Sequence, residues 1–399
     1  MVRVRLARSG YLLNDPEDVR HVLVGNHGNY VKSRRLAGAR GRYPPPAALL
    51  TSAGAEHRRR RRSMQQAFRR PLVDALVARA GANAQRLASS WREGEEIDLG
   101  GAMAALAQRN ILEALFGDSS GEGLDRLAAA SRARKRAFER HFLSLFPLPQ
   151  YLPTAANRGY VGATRRLDEA IAAEIAARRA ADGEPADLLA TLMRLRFDDG
   201  RRMTDREVRE EVLMLSLTGY DSVSEALTWT LYLLARAPEV DAAVAEEART
   251  TSANGAYATR VVRESLRLFP PTWIFVRLAR DEDRLPSGAR IPAGAKLYLC
   301  PYVVHRDARH WPDPNRFDPE RFADAVESGR PRYAYFPFGG GPHVCIGETL
   351  ALAQIVTVLA TVASSHRLTL APGQRVVPEG GLTLRPRDGL RMRVERRAP

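Results

Sequence analysis

The sequence contains very little cysteine and few long apolar runs. Its 399 residues include two cysteines, Cys300 and Cys345, which excludes a scaffold held by several disulfides. We predict no membrane-spanning helix, and residues 1–6 carry no apolar signal region. These absences favour a cytoplasmic protein whose thiols stay reduced. Cys300 ends a strand-like segment, and we expect its side chain to be buried there like that of a small hydrophobic residue.

Lysine is also rare, although the chain is strongly basic. It has 61 basic and 46 acidic residues, a formal charge of +15, and only three of the basic residues are lysines. The arginine-rich stretches 57–62 and 132–140 suggest nucleic acid as one partner. No nucleic-acid motif accompanies them, and we expect no nucleic-acid binding. With 45% hydrophobic residues, the chain can bury a large core.

One stretch carries the strongest chemical signal. Residues 336–347 read Phe-Pro-Phe-Gly-Gly-Gly-Pro-His-Val-Cys-Ile-Gly, and the glycines and prolines predict an irregular loop. Good helix formers follow at 348–356, so Cys345 lies near a predicted helix N-terminus, where the helix dipole favours a thiolate. A thiolate in such a loop suits a soft metal or a heme iron. The alternative is a buried structural cysteine.

The segment Phe338–Gly347, Phe-x-x-Gly-x-x-x-Cys-x-Gly, closely resembles the heme-ligand signature of the cytochrome P450 family. The resemblance implies that Cys345 is the axial ligand of heme b (iron protoporphyrin IX), with Phe338 and Gly339 against the cofactor. It implies one mainly α domain over 1–399 with a small β region. The heme would lie buried between a long central helix and the cysteine loop. Relatives usually begin earlier, so we expect a shortened N-terminus.

A second part of the resemblance concerns cationic side chains. His57 and Arg61 are four residues apart and would share a helix face, which suits a carboxylate. They resemble the family's His-x-x-x-Arg pair, which reaches a heme propionate. Arg277 and His343 match further propionate-contacting positions, and we do not expect His305 to bind iron. We expect the neighbouring arginines to be solvated, partly as a surface for an acidic redox partner: Arg58, Arg59, Arg60 and Arg62.

A long helix is predicted from about 204 to 235, with Thr204 as its N-cap. Its middle, 212–223, is apolar nearly all round, which predicts burial. Gly219 and Asp221 are costly in a buried helix, which suggests that they have a purpose. The alternative to a functional role for these residues is a polar cluster at a kink of the helix.

Residues 218–222, Thr-Gly-Tyr-Asp-Ser, resemble the family's oxygen-activating motif Ala-Gly-x-Asp/Glu-Thr. Asp221 keeps the acid, Ser222 replaces threonine and Thr218 replaces alanine. The resemblance implies that these residues relay protons through water at a locally widened helix, because cleavage of dioxygen consumes protons. Serine is a freer rotor than threonine, which puts the coupling of oxygen cleavage to substrate oxidation in question.

The remaining matches concern residues that support the cysteine loop and segments that select the substrate. Glu264 and Arg267 match the family's Glu-x-x-Arg, which locks with a later arginine, here Arg321. The alternatives of a plain linker or simple core packing stay open for the segments that the resemblance places near substrate: 36–52, 142–157, 213–222, 272–276 and 380–384.

The function implied is that of a heme-thiolate monooxygenase. It would insert one atom of O2 into a small, largely apolar molecule, possibly of secondary metabolism. No flavin or iron–sulfur segment is found, so electrons would come from a ferredoxin with its ferredoxin reductase. We expect a monomer. One alternative is a peroxygenase or isomerase without an electron donor, against which Asp221 and Ser222 argue. Another is a non-catalytic heme-binding or ligand-sensing protein.

Overall fold

The computed structural model describes residues 2–5, 9–32, 48–117, 121–143, 152, 154–180, 187–250 and 255–397. Most of the predicted substrate segments 36–52 and 142–157 lies outside these residues. The chain forms two compact units. The first comprises Met1–Ser33, Ala80–Met103 and Ser222–Pro399, and the second Arg34–Arg79 and Ala104–Asp221. The expectation of a single domain stays a prediction.

Helices make up most of the described chain, which confirms the mainly α prediction. In chain order they are α1 (Pro16–Arg20), α2 (Gly54–Gln65), α3 (Arg70–Ser90), α4 (Leu99–Phe116), α5 (Gly121–Leu143), α6 (Ala155–Ala180), α7 (Leu188–Arg194), α8 (Asp205–Thr218), α9 (Asp221–Arg236), α10 (Pro238–Thr250), α11 (Ala256–Leu268), α12 (Pro301–Val304), α13 (Asp324–Glu327) and α14 (Glu348–Ser365).

The strands of the described residues all belong to the first unit. They are β1 (Val2–Arg5), β2 (Ser9–Leu13), β3 (Tyr30–Lys32), β4 (Glu96–Asp98), β5 (Phe275–Ala279), β6 (Asp283–Arg284), β7 (Arg290–Ile291), β8 (Lys296–Leu299), β9 (His366–Leu370), β10 (Pro378–Gly380), β11 (Leu384–Pro386) and β12 (Arg391–Arg396). A five-stranded sheet has the order β1-β2-β8-β5-β3, and β4, β12 and β9 form a second sheet. Two hairpins, β6–β7 and β10–β11, complete the small β region.

The start of the described chain forms a hairpin followed by a short capped helix. Strands β1 and β2 pair as an antiparallel hairpin, and the Asp15 side chain accepts hydrogen bonds from the backbone N–H of Glu17 and Asp18 at the start of α1. Pro16 occupies the first helical position, where its missing N–H costs nothing. A π-helical turn, His21–Gly25, follows α1 and was not predicted.

The core of the five-stranded sheet extends toward the cysteine loop. Leu13, Leu297 and Leu299 have no solvent exposure, and the same apolar cluster includes Tyr333 and Phe336. Burial of each large side chain contributes roughly 1.5–3 kcal/mol. The segment that leads into the loop is therefore anchored in the main core of the first unit.

Helix α14, which follows the cysteine loop, bears on the prediction that no helix spans a membrane. Residues 349–366 carry no Asp, Glu, Lys or Arg, so the sequence contains one run of 18 residues without these charges. By length and composition alone this helix could cross a membrane, the one such helix in the described ranges. Since 56% of it is buried inside the protein, it packs as a core helix does.

The predicted long central helix consists of two helices, α8 and α9, separated by Gly219 and Tyr220. Thr204 caps α8 in a capping box with Glu207, as expected. Gly219 is required by close packing, because a Cβ there would lie 2.8 Å from the Ile111 side chain on α4. The break therefore lies where the helix passes a close neighbour, immediately before Asp221.

A buried ion pair on α11 stabilises the segment that precedes the cysteine loop. Arg267 and Glu264 have no solvent exposure, and Arg267 donates to the two Glu264 carboxylate oxygens at 2.6 and 2.8 Å. Arg267 Nη1 also donates to the carbonyls of His305 and Pro314 at 2.8 and 2.7 Å. Arg321 lies 3.5 Å from Glu264. The predicted three-residue network is confirmed.

We expect the substitution Arg267→Ala to destabilise the protein by about 3–5 kcal/mol, because it leaves the Glu264 charge buried without its main partner. Arg260→Ala on the same helix is the matched control. Arg260 pairs with Glu320 at 2.7 Å, but both side chains are partly exposed, so its loss should cost less than about 1 kcal/mol. Urea unfolding followed by circular dichroism measures both. Equal losses would contradict the assigned importance of the network.

Candidate functional site

The cysteine loop is closed by its own backbone. The Cys345 N–H donates to the Phe338 carbonyl at 3.0 Å, and the Val344 N–H donates to the Gly341 carbonyl at 3.1 Å. Helix α14 begins three residues later at Glu348, so Cys345 lies near a helix N-terminus, as predicted. Its side chain is exposed. The loop thus carries an exposed cysteine side chain on a turn closed by two backbone hydrogen bonds.

Glycine is required at the centre of this loop. Gly339 and Gly341 have φ of +77° and +62°, in the left-handed region that residues with a Cβ rarely adopt. A Cβ on Gly341 would also lie 1.9 Å from the Leu23 carbonyl oxygen. The loop therefore packs directly on the π-helical turn His21–Gly25, a contact that the sequence did not indicate.

His305 supports the loop from inside the protein. Its Nε2 accepts a hydrogen bond from the Phe336 N–H at 2.9 Å, and its own carbonyl accepts from Arg267. Burial lowers the pKa of His305 to about 3, so the ring is neutral and can accept. This use of the ring agrees with the expectation that His305 does not bind iron. A chain of hydrogen bonds thus runs from Arg267 through His305 to the loop.

Arg277 is a cation without a carboxylate in the part of the chain that the structure describes. It lies on β5, between β3 and β8, and its hydrogen bond there is to the neighbouring Val276 carbonyl at 3.1 Å. Burial lowers the pKa of its guanidinium. A half-buried arginine of this kind fits an anionic partner such as a heme propionate. His343 lies on the turn Gly341–His343 and is half-buried.

His57 and Arg61 lie one turn apart on α2, in the second unit. His57 is 4% exposed and Arg61 is half-buried. The face that carries both residues therefore points inward, although the helix is rich in charge. Two inward donors on one face can hold a carboxylate.

Arg60 is not solvated, so that prediction was wrong. It is 3% exposed, and it donates to Glu56 at 2.6 Å, to Glu211 at 3.0 Å and to Glu207 at 3.4 Å. Three carboxylates compensate for the loss of water around one guanidinium. The exposed members of the arginine run are Arg58 and Arg62.

Asp221, the predicted acid, begins α9 and is 7% exposed. Lys135 on α5 donates to its Oδ1 at 2.5 Å. Burial raises the pKa of Asp221, and the charge of Lys135 opposes that rise. Lys135 was not predicted as a partner of Asp221, and its one signal in the sequence was the scarcity of lysine. The ion pair holds the carboxyl group at the helix break.

Part of the central segment is open, although most of it is buried. Thr218 is exposed at the end of α8, Leu215 and Leu217 on that helix are half-buried, and so is Ser222 in the first turn of α9. The Thr218 hydroxyl donates to the Met214 carbonyl at 2.9 Å. The Ser222 hydroxyl has no hydrogen bond to any described residue. Of the two hydroxyls, Ser222 is the one able to donate to a bound molecule.

Two predicted substrate segments of the first unit meet each other. The Trp273 indole N–H donates to the Gly381 carbonyl at 3.1 Å, and a Cβ on Gly380 would lie 2.8 Å from the Trp273 ring. The Leu384 N–H donates to the Pro271 carbonyl at 3.0 Å. Segments 272–276 and 380–384 therefore form one wall.

The donors present fit a heme. An exposed thiol on a closed glycine loop is a suitable axial ligand, and Arg277 offers a charge that the described carboxylates leave uncompensated. Within the described ranges, no group of three or more His, Cys, Asp or Glu side chains could hold a free metal ion. These residues could therefore hold a heme.

Comparison with known proteins agrees with a heme-binding function. The sequence profile of the cytochrome P450 family matches residues 3–390. Cyclooctat-9-en-7-ol 5-monooxygenase from Streptomyces melanosporofaciens is 33% identical over 391 residues, which cover 94% of this chain and 83% of that protein. Pentalenene oxygenase from Streptomyces avermitilis is 31% identical over 352 residues, which cover 84% of this chain and 77% of that protein.

Solved structures show the same fold. The cytochrome P450DA heme domain superposes with a TM-score of 0.89 at 22% identity, covering 100% of this chain and 90% of that one. Retinoic acid bound cyanobacterial CYP120A1 gives a TM-score of 0.87 at 23% identity, covering 99% and 91%. The chain belongs to the cytochrome P450 family. It is a P450 monooxygenase, and membership implies a heme cofactor.

We expect Gly341→Ala to disrupt the cysteine loop. Gly373→Ala is the matched control, because Gly373 also has a positive φ, +73°, but its Cβ would meet nothing within 4 Å. The control should cost about 1–2 kcal/mol of left-handed strain. Gly341→Ala should cost about 1–3 kcal/mol more, because of the clash with the Leu23 carbonyl, and should lower heme retention. Unfolding curves and the heme-to-protein ratio measure this; equal values would refute the contact.

Proposed function

We propose that this P450 monooxygenase oxygenates a small, largely apolar cyclic terpene and that Cys345 is the axial ligand of its heme b. The observation that carries the proposal is the loop geometry: the Cys345 N–H donates to the Phe338 carbonyl, and the Cys345 side chain is exposed. Phe338 and Gly339 would pack against the cofactor. We expect the propionates to be held by Arg277, His343, His57 and Arg61.

When bound, the heme activates dioxygen at its iron, and a thiolate ligand favours O–O cleavage. The chain supplies the protons that cleavage consumes. Asp221 is a buried carboxyl with a raised pKa, which suits a group that alternately takes up and releases a proton. Ser222, the next residue, offers a hydroxyl able to donate. Thr218, which is exposed at the end of α8, would contact substrate or water.

The substrate class is supported by the relatives. The two Streptomyces enzymes are named for cyclooctat-9-en-7-ol and for pentalenene, a cyclic alkenol and a cyclic alkene. The wall formed by Trp273 and the 380–384 turn is mainly apolar, which suits such a skeleton. A product of secondary metabolism therefore fits both the relatives and the site.

Electrons would come from a separate partner. The sequence shows no flavin or iron–sulfur segment, and the formal charge of +15 favours encounter with an acidic ferredoxin, itself reduced by a ferredoxin reductase. Arg58 and Arg62, exposed on α2, are candidate contacts. We expect a cytoplasmic monomer.

A carbon monoxide difference spectrum of the reduced protein tests the ligand. We expect the thiolate-type Soret shift in the wild type and its absence in Cys345→Ala, because the variant lacks the thiolate. Cys300→Ala is the control, since Cys300 is buried and its thiol donates to the Trp273 carbonyl at 3.1 Å. A wild type without the shift, or a Cys345→Ala variant that keeps it, would refute the assignment.

The proton relay is tested with a cyclic terpene that shifts the iron spin state on binding. Asp221→Asn should slow turnover by about 100-fold, because the amide cannot supply a proton. Ser222→Ala should release more hydrogen peroxide per NADPH consumed, and Ser222→Thr should restore coupling. Ser224→Ala, a buried change on the same helix, is the control. Unchanged coupling in Ser222→Ala would exclude Ser222 from the relay.

A further inference from the structure

Glu211 on α8 holds a backbone group from a distant segment. Its side chain is 1% exposed, and its two carboxylate oxygens accept from the Leu49 N–H at 2.9 and 3.0 Å. Arg60 on α2 donates to the same carboxylate at 3.0 Å. One carboxylate thus joins three parts of the second unit: α8, α2 and the turn before α2.

That turn, 48–52, is held together by its own hydrogen bonds. The N–H groups of Thr51 and Ser52 donate to the Ala48 carbonyl at 3.0 and 2.9 Å. The Ser52 hydroxyl donates to the Leu49 carbonyl at 2.9 Å. Leu50 is exposed, whereas its neighbours are buried. The turn therefore behaves as one body, and the Glu211 carboxylate is an anchor that fixes it on α8.

The acidic side chains around the Glu211 carboxylate are paired with different numbers of arginines. Arg60 is the cation that contacts Glu211, and it is shared with Glu56 and Glu207. Arg201 forms an ion pair with Glu207 at 2.7 Å, and Arg59 forms one with Glu56 at 3.0 Å. The remaining acid nearby is Glu210, which pairs with Arg206 at 3.1 Å. Among the residues that the structure describes, the Glu211 carboxylate therefore depends on Arg60 for charge compensation.

We propose that Glu211 is a positioning residue for substrate selection: by binding the Leu49 N–H it fixes the turn 48–52, and with it the size of ligand that the enzyme accepts. The proposal rests on the proposed function, in which this turn ends the segment that contacts substrate. Glu211 is not expected to touch the substrate or the heme. Its effect would appear in selectivity and not in the chemistry at the iron.

The protonation of Glu211 gives the anchor a dependence on pH. Burial raises its pKa to about 7, and the Leu49 N–H and Arg60 oppose the rise. A carboxylate accepts from both donors, whereas a protonated carboxyl has one full acceptor fewer, so the turn should loosen below the pKa. The folded pKa lies above the unfolded value of 4.5. The contribution of Glu211 to the free energy of unfolding is therefore present at low pH and is lost as the pH rises through about 7. Loosening of the turn below this pKa is thus a local change and not a part of acid unfolding.

Two measurements on the heme-loaded protein test the proposal. Glu211→Gln should speed hydrogen exchange of peptides covering 48–52 by about tenfold, the equivalent of one hydrogen bond to a charged group. It should also change the ratio of the dissociation constants for 4-phenylimidazole and imidazole by about fivefold, less than the loss of a full apolar contact. Glu210→Gln, the same change on the adjacent residue, should leave both unchanged.

The wild type supplies a test that needs no variant. Each dissociation constant is expressed for the neutral form of the imidazole, because both probes titrate in this pH range and only the neutral ring binds iron. On that basis the ratio should change between one pH unit above and one below the Glu211 pKa of about 7. The corrected ratio in Glu211→Gln should stay constant over the same interval, because the amide does not titrate. A wild type without the thiolate-type Soret shift overturns the proposed function and this inference with it. A normal shift with an unchanged ratio in Glu211→Gln overturns only the role of Glu211.

Discussion

The geometry of the cysteine loop depends on the buried ion pair between Glu264 and Arg267. A guanidinium with no solvent exposure is tolerated because its donors are used: two for the carboxylate and the others for backbone carbonyls, among them that of His305. His305 in turn accepts from Phe336. A charge pair far from the thiol in sequence thereby fixes the backbone that presents it, and packing of Tyr333 and Phe336 in the main core secures the same segment.

Short-range signals in the sequence predicted a large part of the fold. The glycine loop, the Thr204 cap and the Glu264–Arg267 pair are each encoded within a few residues, and the structure contains all of them. The contacts that the sequence did not predict join distant residues. Leu49 and Glu211 are 162 positions apart and Lys135 and Asp221 are 86 apart. Only the tertiary fold brings such groups together.

Two errors have identifiable causes. Arg60 was expected in solvent because it lies in a run of arginines, but His57, Arg60 and Met64 recur at helical spacing and are all buried. That periodicity was a usable signal. The break between α8 and α9 has a different cause, because it coincides with the close approach of Ile111 to Gly219, which no local pattern encodes.

The contact between Gly341 and the Leu23 carbonyl makes the π-helical turn a structural support of the cysteine loop. The two backbones lie so close together that no side chain fits between them. In a chimeric enzyme, the first thirty residues and the loop 336–347 would therefore have to be exchanged as a pair. Recombination between relatives that separates the two would place a foreign turn against the cysteine loop, even though more than 300 residues lie between them in the chain.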